Sequence, residues 1–258
     1  MLSHSPENPR PRLGLIGFGA FGRLVARHLA PFFVIHAYDP AMPAEPGSDV
    51  SPGALRVAAD CPVVILAAPV PAIPGIVAAI GPHLRPGALV LDVGSVKAVA
   101  ATAMRDGLPG HVAIVATHPL FGPQSARDGL RGLKIALCEV RGGQTRQVAA
   151  FLRRHLGLDV ILTTPEAHDR DAAVVQGLTH LIAKVMVRME PLPTRMTTRS
   201  FDLLMQAVAM VRHDAPEVFD AIERANPYAG AVRRSFVAAA ARLAHDLSDA
   251  PEPAVRAA

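Results

Sequence analysis

Short runs of consecutive apolar residues recur along the chain up to residue 163. Uninterrupted runs are typical of strands covered on both faces, as in a parallel sheet flanked by helices, whereas half-exposed strands alternate apolar and polar residues. Segments with helical periodicity separate them, for example at residues 73–80 and 144–156. The pattern therefore predicts an α/β fold with a Rossmann-type, doubly wound parallel sheet. The predicted strands are Leu13–Ile16, Phe33–Tyr38, Val63–Ala67, Ala88–Val93, Val112–Ala116, Lys134–Leu137 and Val160–Leu162.

The pattern changes at Thr164, where the strand signals stop. The sequence Thr164-Pro165-Glu166 is typical of a helix start, because a capping Thr is followed by Pro and Glu in the first turn. Helical periodicity follows at residues 171–189, 201–211 and 228–247. We therefore expect an N-terminal α/β domain at residues 1–163 and a smaller, all-helical domain at residues 164–258.

The predicted helices of the second domain carry apolar stripes, which helices normally turn toward a core. A domain this small would bury several such stripes better against a second copy of itself, so we expect a homodimer. The first stripe consists of residues 174, 178, 181, 182, 185 and 189, and the later helices add Val208, Val211, Val232, Phe236 and Ala240.

Composition narrows the class of protein. The chain has 258 residues, half of them hydrophobic, and a net charge of only +4, which excludes a disordered chain. Basic and acidic residues are interleaved, so we expect no nucleic-acid partner. Residues 61–80 are apolar enough for a membrane span, but prolines at 62, 69, 71 and 74 interrupt them, so we expect no membrane segment.

The cysteine content and the N-terminus bear on the compartment. The two cysteines, Cys61 and Cys138, are far apart, which argues against a disulfide framework or a zinc site. The first twelve residues lack the apolar core of a signal peptide. We expect a cytoplasmic protein.

A glycine-rich turn lies between the first predicted strand and the first helix, which is the context of a dinucleotide-binding fingerprint. In this turn, Gly17 permits the tight bend, Gly19 lets the backbone approach a pyrophosphate, and Gly22 lets helix and strand pack closely. The helix N-terminus offers free N–H groups to the phosphates. The predicted phosphate-binding residues are Gly17, Phe18, Gly19, Ala20, Phe21 and Gly22.

Two further segments complete the expected nucleotide site. Asp39 ends the next predicted strand, where its carboxylate can accept hydrogen bonds from both ribose hydroxyls. A 2′-phosphate would be repelled there, so we expect NAD, with NADP as the less favoured cofactor. The small residues Ala67, Ala68 and Pro69 end another strand and would leave room for the dinucleotide.

Polar residues follow two more predicted strands. Ser95 comes after the strand at 88–93, and His118 comes after the strand at 112–116. The ligand cleft of an open α/β sheet lies at the carboxyl ends of its strands, so these side chains can meet beside a nicotinamide. His118 would take a proton from a substrate hydroxyl while hydride leaves the same carbon, and Ser95 would hold the imidazole or the substrate oxygen. The alternative for His118 is a hydrogen bond that anchors its loop.

Taken together, the ordered motifs resemble the prephenate/arogenate dehydrogenase family, and they look closest to its plant-type arogenate branch. The resemblance extends from about Leu13 to Leu247. The motifs that follow GFGAFG are DVGSVK at 92–97, HPLFGP at 118–123, HDRDAA at 168–173 and QGLTHL at 176–181.

The resemblance implies a function and roles for particular residues. It implies NAD(P)-dependent oxidative decarboxylation of arogenate to tyrosine, or of prephenate to 4-hydroxyphenylpyruvate, without a metal. It also implies that Gln176 and His180 line the substrate pocket, that His180 meets a substrate carboxylate, and that the pair His168-Asp169 has a structural role between the domains. The alternative for Gln176 and His180 is a solvated helix face.

The sequence departs from the family at one position that affects specificity. Microbial members specific for prephenate bind its side-chain carboxylate with an Arg, and here Met210 stands at or near that position. The nearby Asp214 could pair with the ammonium group of arogenate, so we expect arogenate to be preferred over prephenate. Two alternatives stay open: Arg212 or Arg199 binds the substrate carboxylate, or Asp214 caps the helix that follows it.

Two other functions fit parts of the sequence. A reductase of the β-hydroxyacid or imine-reducing type would use a Lys on a helix of the second domain, and Lys184 lies there. Such enzymes carry an Asn four residues later, but this chain has Arg188. A nicotinamide-binding sensor without chemistry would not need the pair Ser95 and His118.

Overall fold

A computed structural model describes residues 10–42 and 50–248, and the outer ends of the two predicted domains lie outside these ranges. Eight strands form one sheet in the order β3-β2-β1-β4-β5-β6-β7-β8. The strands are β1 Arg12–Ile16, β2 Val34–Tyr38, β3 Val50–Pro52, β4 Val63–Leu66, β5 Leu89–Asp92, β6 Ala113–Pro119, β7 Lys134–Arg141 and β8 Asp159–Thr163. The helices are α1 Ala20–Leu29, α2 Leu55–Ala59, α3 Ile73–Ile80, α4 Lys97–Gly107, α5 Thr145–Phe151, α6 Pro165–Arg188, α7 Arg199–Val211, α8 Pro216–Asp220 and α9 Ala229–Ser248.

The predicted strands and the Rossmann-type fold are confirmed, with two differences. The short strand β3 was not predicted, because its three residues include a Ser and a Pro and lack an apolar run. The sheet is also not fully parallel, since β7 pairs antiparallel with β6. No helix lies between these two strands to carry the chain back across the sheet, and a parallel pair needs such a crossover.

Hydrophobic residues cover both faces of the sheet, as the continuous apolar runs predict. One buried cluster includes Leu13, Leu15 and residues of α1. The other includes Val64 and Leu66 together with residues of α3 and α4. Covered faces force the polar groups of the sheet to its edges, so the carboxyl ends of the strands are the place for a binding site.

The apolar segment at residues 61–80 contains β4, a short 3-10 turn and α3 rather than one long helix. Among the described residues, no helix is long and apolar enough to cross a membrane.

The helix start at Thr164 is confirmed. The Thr164 side chain accepts a hydrogen bond from the Ala167 N–H at 3.2 Å, with Pro165 as the first residue of α6. The last strand of the sheet, β8, ends one residue earlier, at Thr163. The division into two domains at this point stays a prediction.

Three residues of the apolar stripe of α6 are exposed in the single chain. Val174, Val185 and Met189 are 49%, 46% and 59% exposed. The buried residues of this helix are His168, Asp169, Ala172, Ala173, Gly177, His180 and Ala183. Periodicity detects that a helix has an apolar side, but it does not say which side packs on its own chain.

Candidate active site

The glycine-rich turn has the geometry predicted from the fingerprint. Gly17 has a φ of +100°, and a Cβ there would lie 2.2 Å from the Ala67 carbonyl oxygen. A Cβ on Gly22 would lie 2.3 Å from the Gly17 carbonyl oxygen, so no larger residue fits between strand and helix. By contrast, a Cβ on Gly19 would meet no atom within 4 Å. The turn is thus closed on the protein side and open where a pyrophosphate would approach.

Asp39 lies beside this turn, at the end of β2. Its Oδ2 accepts a hydrogen bond from the Phe18 N–H at 2.6 Å, and its Oδ1 accepts one from the Ala41 N–H at 2.7 Å. The side chain is half-buried. Each carboxylate oxygen has a second lone pair, so the predicted hydrogen bonds to a ribose remain compatible with these contacts.

A buried ion pair joins the ends of β5 and β6. The Lys97 ammonium, at the start of α4, contacts the Asp92 carboxylate, and both side chains are fully buried. The Lys97 Nζ also donates to the Thr117 carbonyl oxygen at 2.6 Å. This arrangement fixes the backbone directly before His118.

His118 is buried at the end of β6, with 2% of its surface exposed. Burial, the neighbouring His168 and the Lys97 ammonium hold the pKa of His118 well below its usual range. The side chain is therefore neutral near pH 7, the state in which an imidazole accepts a proton. The loop after His118 lies close to the nucleotide turn, since the ring centroids of Phe121 and Phe21 are 6.2 Å apart.

The group that holds the His118 imidazole is His168 of α6. The His118 Nδ1 lies 2.8 Å from the His168 Nε2, and the His168 Nδ1 lies 2.8 Å from the Asp169 Oδ1. Asp169 in turn accepts hydrogen bonds from the N–H groups of Lys97 and Ala98, at 2.8 and 2.9 Å. The implied structural role of His168 and Asp169 thus has a physical basis, since Asp169 binds the first turn of α4.

Ser95 lies half-buried between β5 and α4, at the same edge of the sheet as His118. Its hydroxyl makes no hydrogen bond within the described part of the chain, so the expectation that Ser95 holds the imidazole is not met. Its other predicted role, contact with the substrate oxygen, stays a prediction.

Gln176 lies two turns after His168 on the same side of α6. Its Nε2 is 3.4 Å from the second ring nitrogen of His118, Nε2. Its Oε1 is buried and has no hydrogen-bond partner among the described residues. A buried acceptor without a partner destabilises the protein, so this atom marks a position where a ligand donor would be bound favourably.

His180 follows one further turn along α6, and its Nδ1 lies 3.0 Å from the Gln176 carbonyl oxygen. Its Nε2 lies 3.1 Å from the Asp214 Oδ2. Both partners are acceptor oxygens, so each ring nitrogen of His180 faces a hydrogen-bond acceptor. The solvated-face alternative is wrong, since His180 is buried on the side of α6 opposite to its apolar stripe.

The structure separates the alternatives for Asp214 and Arg212. Asp214 does not cap α8, whose capping position is Ala215 without a side-chain hydrogen bond. Arg212 forms two hydrogen bonds with the Glu190 carboxylate, which raises the pKa of Arg212 and lowers that of Glu190. Two guanidinium nitrogens of Arg212 are thus paired, whereas only one carboxylate oxygen of Asp214 has a hydrogen-bond partner among the described residues, so Arg212 is a weaker candidate than Asp214 for contact with the substrate.

Lys184, the candidate of the reductase alternative, has its Nζ 5.5 Å above the Phe219 ring and lines a small cavity with His180 and Arg212. Among the described residues it makes no hydrogen bond or ion pair with the strand ends that carry His118 or Ser95.

Sequence reasoning did not identify the Asp92–Lys97 pair or the contact between His168 and His118. The Asp92–Lys97 pair could have been predicted from the sequence, since an Asp ends an apolar strand and a Lys begins the next helix. The contact between His168 and His118 has no signal in the local sequence, because the two histidines are 50 residues apart.

Comparison with known proteins shows what the chain is similar to. The family model described as "Prephenate dehydrogenase, nucleotide-binding domain" matches residues 48–159. A probable arogenate/prephenate dehydrogenase of Methanocaldococcus jannaschii is 27% identical over 186 residues, which cover 68% of this chain. Arogenate dehydrogenase 1 of Arabidopsis thaliana is 28% identical over 239 residues, which cover 84% of this chain. The chain is therefore similar to the prephenate/arogenate dehydrogenases.

This similarity extends over only part of each relative. The matches cover 41% of the archaeal protein and 36% of the plant protein, so the chain spans about two fifths of their length. A solved structure of prephenate dehydrogenase from Aquifex aeolicus, in complex with hydroxyphenyl propionate and NAD+, shares the fold. Its TM-score is 0.74 at 21% identity, over 94% of this chain and 92% of that chain.

Proposed function

We propose that this protein is an NAD-dependent dehydrogenase that oxidatively decarboxylates a cyclohexadienol, with arogenate as the preferred substrate and tyrosine as the product. The observation that carries the proposal is the state of His118. It is a buried, neutral imidazole at a strand end of the sheet, and its Nε2 faces a polar side chain of α6 rather than the core. A proton acceptor in that place is what oxidation of an alcohol next to a nicotinamide requires.

The residues present fit a dinucleotide. The turn at Gly17–Gly22 leaves open space at Gly19, and the first turn of α1 offers unpaired N–H groups to phosphates. The carboxylate of Asp39 lies beside this turn, and its negative charge disfavours a 2′-phosphate, which supports NAD over NADP. When bound, the nicotinamide supplies the hydride acceptor.

The chemistry needs few further groups. The C4 hydroxyl of the substrate donates its proton to His118 Nε2 as the C4 hydride leaves. The C1 carboxylate then departs as CO₂, and its bonding electrons complete the aromatic ring. Gln176 contacts the same end of the substrate as His118, and Ser95 is available to the C4 oxygen. Aromatisation provides the driving force, so the protein mainly has to orient the ring and accept one proton.

The pair formed by His180 and Asp214 supports arogenate as the preferred substrate. An amino-acid side chain carries both a carboxylate and an ammonium, and these complement an imidazole N–H and a carboxylate oxygen. Prephenate has a keto group where arogenate has the ammonium, so it would offer no donor to the Asp214 Oδ1. Asp214 Oδ1 makes no hydrogen bond among the described residues, which leaves it available to a ligand.

Exchange of the proposed base tests the reaction. We expect purified His118→Asn to lose turnover of arogenate and prephenate by at least about 100-fold, the contribution typical of a general base. Binding of NAD, measured by calorimetry, should change little. His83→Asn serves as control, because His83 is exposed. Activity of His118→Asn close to that of the wild type would show that another group is the base.

Exchange of Asp214 tests the substrate preference. Asp214→Asn should lower kcat/KM for arogenate by about 10- to 100-fold, the value of a hydrogen bond to a charged group, and leave prephenate nearly unchanged. Asp220→Asn is the matched control, since Asp220 is an exposed carboxylate paired with Arg224. An unchanged ratio of the two substrates in Asp214→Asn would contradict the preference.

The exposed apolar residues support a homodimer. The outer side of α6 and most of α9 carry large hydrophobic side chains, and a second copy would cover both surfaces. They include Val174, Val175, Val185, Met189, Val237, Leu243 and Leu247. The free, buried Cys61 and Cys138 are compatible with a cytoplasmic location.

A further inference from the structure

His118 can act as a base only if its Nε2 is free of a proton. A neutral imidazole carries one proton on either nitrogen, and the partner of one nitrogen decides which form prevails. In this structure the partner of His118 Nδ1 is not a carboxylate or a backbone carbonyl but a second imidazole, that of His168. The protonation of His118 therefore depends on that of His168.

The contacts of Asp169 determine the protonation of His168. The backbone N–H groups of Lys97 and Ala98 donate to the carboxylate oxygens of Asp169, and the His168 Nδ1 lies 2.8 Å from one of these oxygens. The Asp169 side chain is fully buried and acts only as an acceptor, so the proton of a neutral His168 is on Nδ1. Its Nε2 is then an acceptor, which requires the His118 Nδ1 to donate.

We propose that His168 and Asp169 are positioning residues that keep the proton of His118 on Nδ1 and its Nε2 free to accept a proton. Their role as the device that prepares the base rests on the function proposed above, whereas the protonation pattern itself does not. The chain of contacts runs from the Asp169 carboxylate through His168 to His118 and ends at the Gln176 amide, 3.4 Å from the His118 Nε2.

The same contacts offer a place for the abstracted proton. As the substrate O–H bond breaks, a new N–H bond forms at His118 Nε2. The His118 Nδ1 proton can then pass to His168 Nε2, so the positive charge resides on the imidazole that contacts Asp169. The other charged groups near His118 are Lys97 and its partner Asp92. Lys97 disfavours a cation on His118, which favours transfer of the charge toward Asp169.

Two substitutions of His168 separate the positioning role from simple packing. His168→Gln retains an acceptor, the amide oxygen, for the His118 Nδ1–H. His168→Leu fills similar space without an acceptor. His83→Leu is the control, because His83 is exposed and distant in sequence from the site.

The first measurement does not depend on activity. In protein labelled with ¹⁵N-histidine, the shifts of the ring nitrogens show which of them is protonated. We expect His118 to be protonated on Nδ1 in the wild type and in His168→Gln, and to show the Nε2-protonated form in His168→Leu. An Nε2-protonated His118 in the wild type, or an unchanged pattern in His168→Leu, would overturn the proposal.

The second measurement is kinetic. We expect kcat of His168→Leu to fall by about 100- to 1000-fold, because a base in the wrong tautomer is lost. KM for the substrate and Kd for NAD should stay within about threefold, and His168→Gln should recover at least about tenfold of kcat over His168→Leu. Equal kcat values in both variants would overturn the proposal. A wild type that shows the expected nitrogen shifts but oxidises neither dienol would support the positioning role and refute the proposed function.

Discussion

The buried ion pair between Lys97 and Asp92 makes a prediction about stability that does not depend on catalysis. Both side chains are fully buried, and Lys97 also donates to the Thr117 carbonyl. Lys97→Met keeps the length of the side chain but leaves the Asp92 carboxylate buried without its counter-ion. Removal of one partner of a buried pair costs about 3–5 kcal/mol. The free energy of unfolding of a typical domain is about 5–15 kcal/mol, so this change would remove a large part of the stability.

Urea denaturation followed by circular dichroism measures this loss. For a slope m of about 3 kcal/mol/M, the midpoint of Lys97→Met should fall by about 1–2 M. Lys134→Met, an exposed lysine on β7, should stay within about 0.5 kcal/mol of the wild type. The double variant Asp92→Asn/Lys97→Met should be more stable than Lys97→Met alone, since no buried charge then lacks a partner. If the midpoints of Lys97→Met and Lys134→Met were equal, the inference that the Lys97–Asp92 pair stabilises the fold would be refuted.

Two further predictions concern the nucleotide turn and the base. Gly22→Ala should lower both the thermal midpoint and the affinity for NAD, because its Cβ would lie 2.3 Å from a backbone oxygen. Gly19→Ala should weaken only NAD binding, since its Cβ would meet no protein atom within 4 Å. Calorimetric titration and a melting curve distinguish the two, and a destabilised Gly19→Ala would contradict the geometry. The acidic limb of kcat/KM should lie below pH 6.5, because burial, His168 and Lys97 lower the pKa of His118 and keep the base neutral to lower pH. A limb above pH 6.5 that depends on His118 would refute this prediction.

The sequence predicts the sheet and the nucleotide turn well because both depend on local signals. A short continuous apolar run predicts a strand covered on both faces, and a strand–glycine–helix sequence predicts a tight turn. The structure contains both. The antiparallel β7 was missed because strand direction depends on how the chain crosses the sheet, which an apolar run does not encode. The partner of His118 was missed for a similar reason. The contact with His168 depends on how α6 packs against α4. That packing is fixed by hydrogen bonds from the first turn of α4 to Asp169, which can be seen only in the structure.

The arrangement of α6 links the site to the proposed dimer. At 3.6 residues per turn, His168, Gln176 and His180 project from one side of this helix, and the exposed stripe that includes Val174 and Val185 projects from the opposite side. The side that packs on its own chain thus combines small residues with these polar ones, and burial of the polar side chains is tolerated because each of the three contacts a polar partner. The apolar side has no such cover among the described residues, so in the proposed dimer it would contribute hydrophobic stabilisation. Because the two sides belong to one rigid helix, the contacts of the dimer would also hold His168, Gln176 and His180 at the register that the proposed reaction needs.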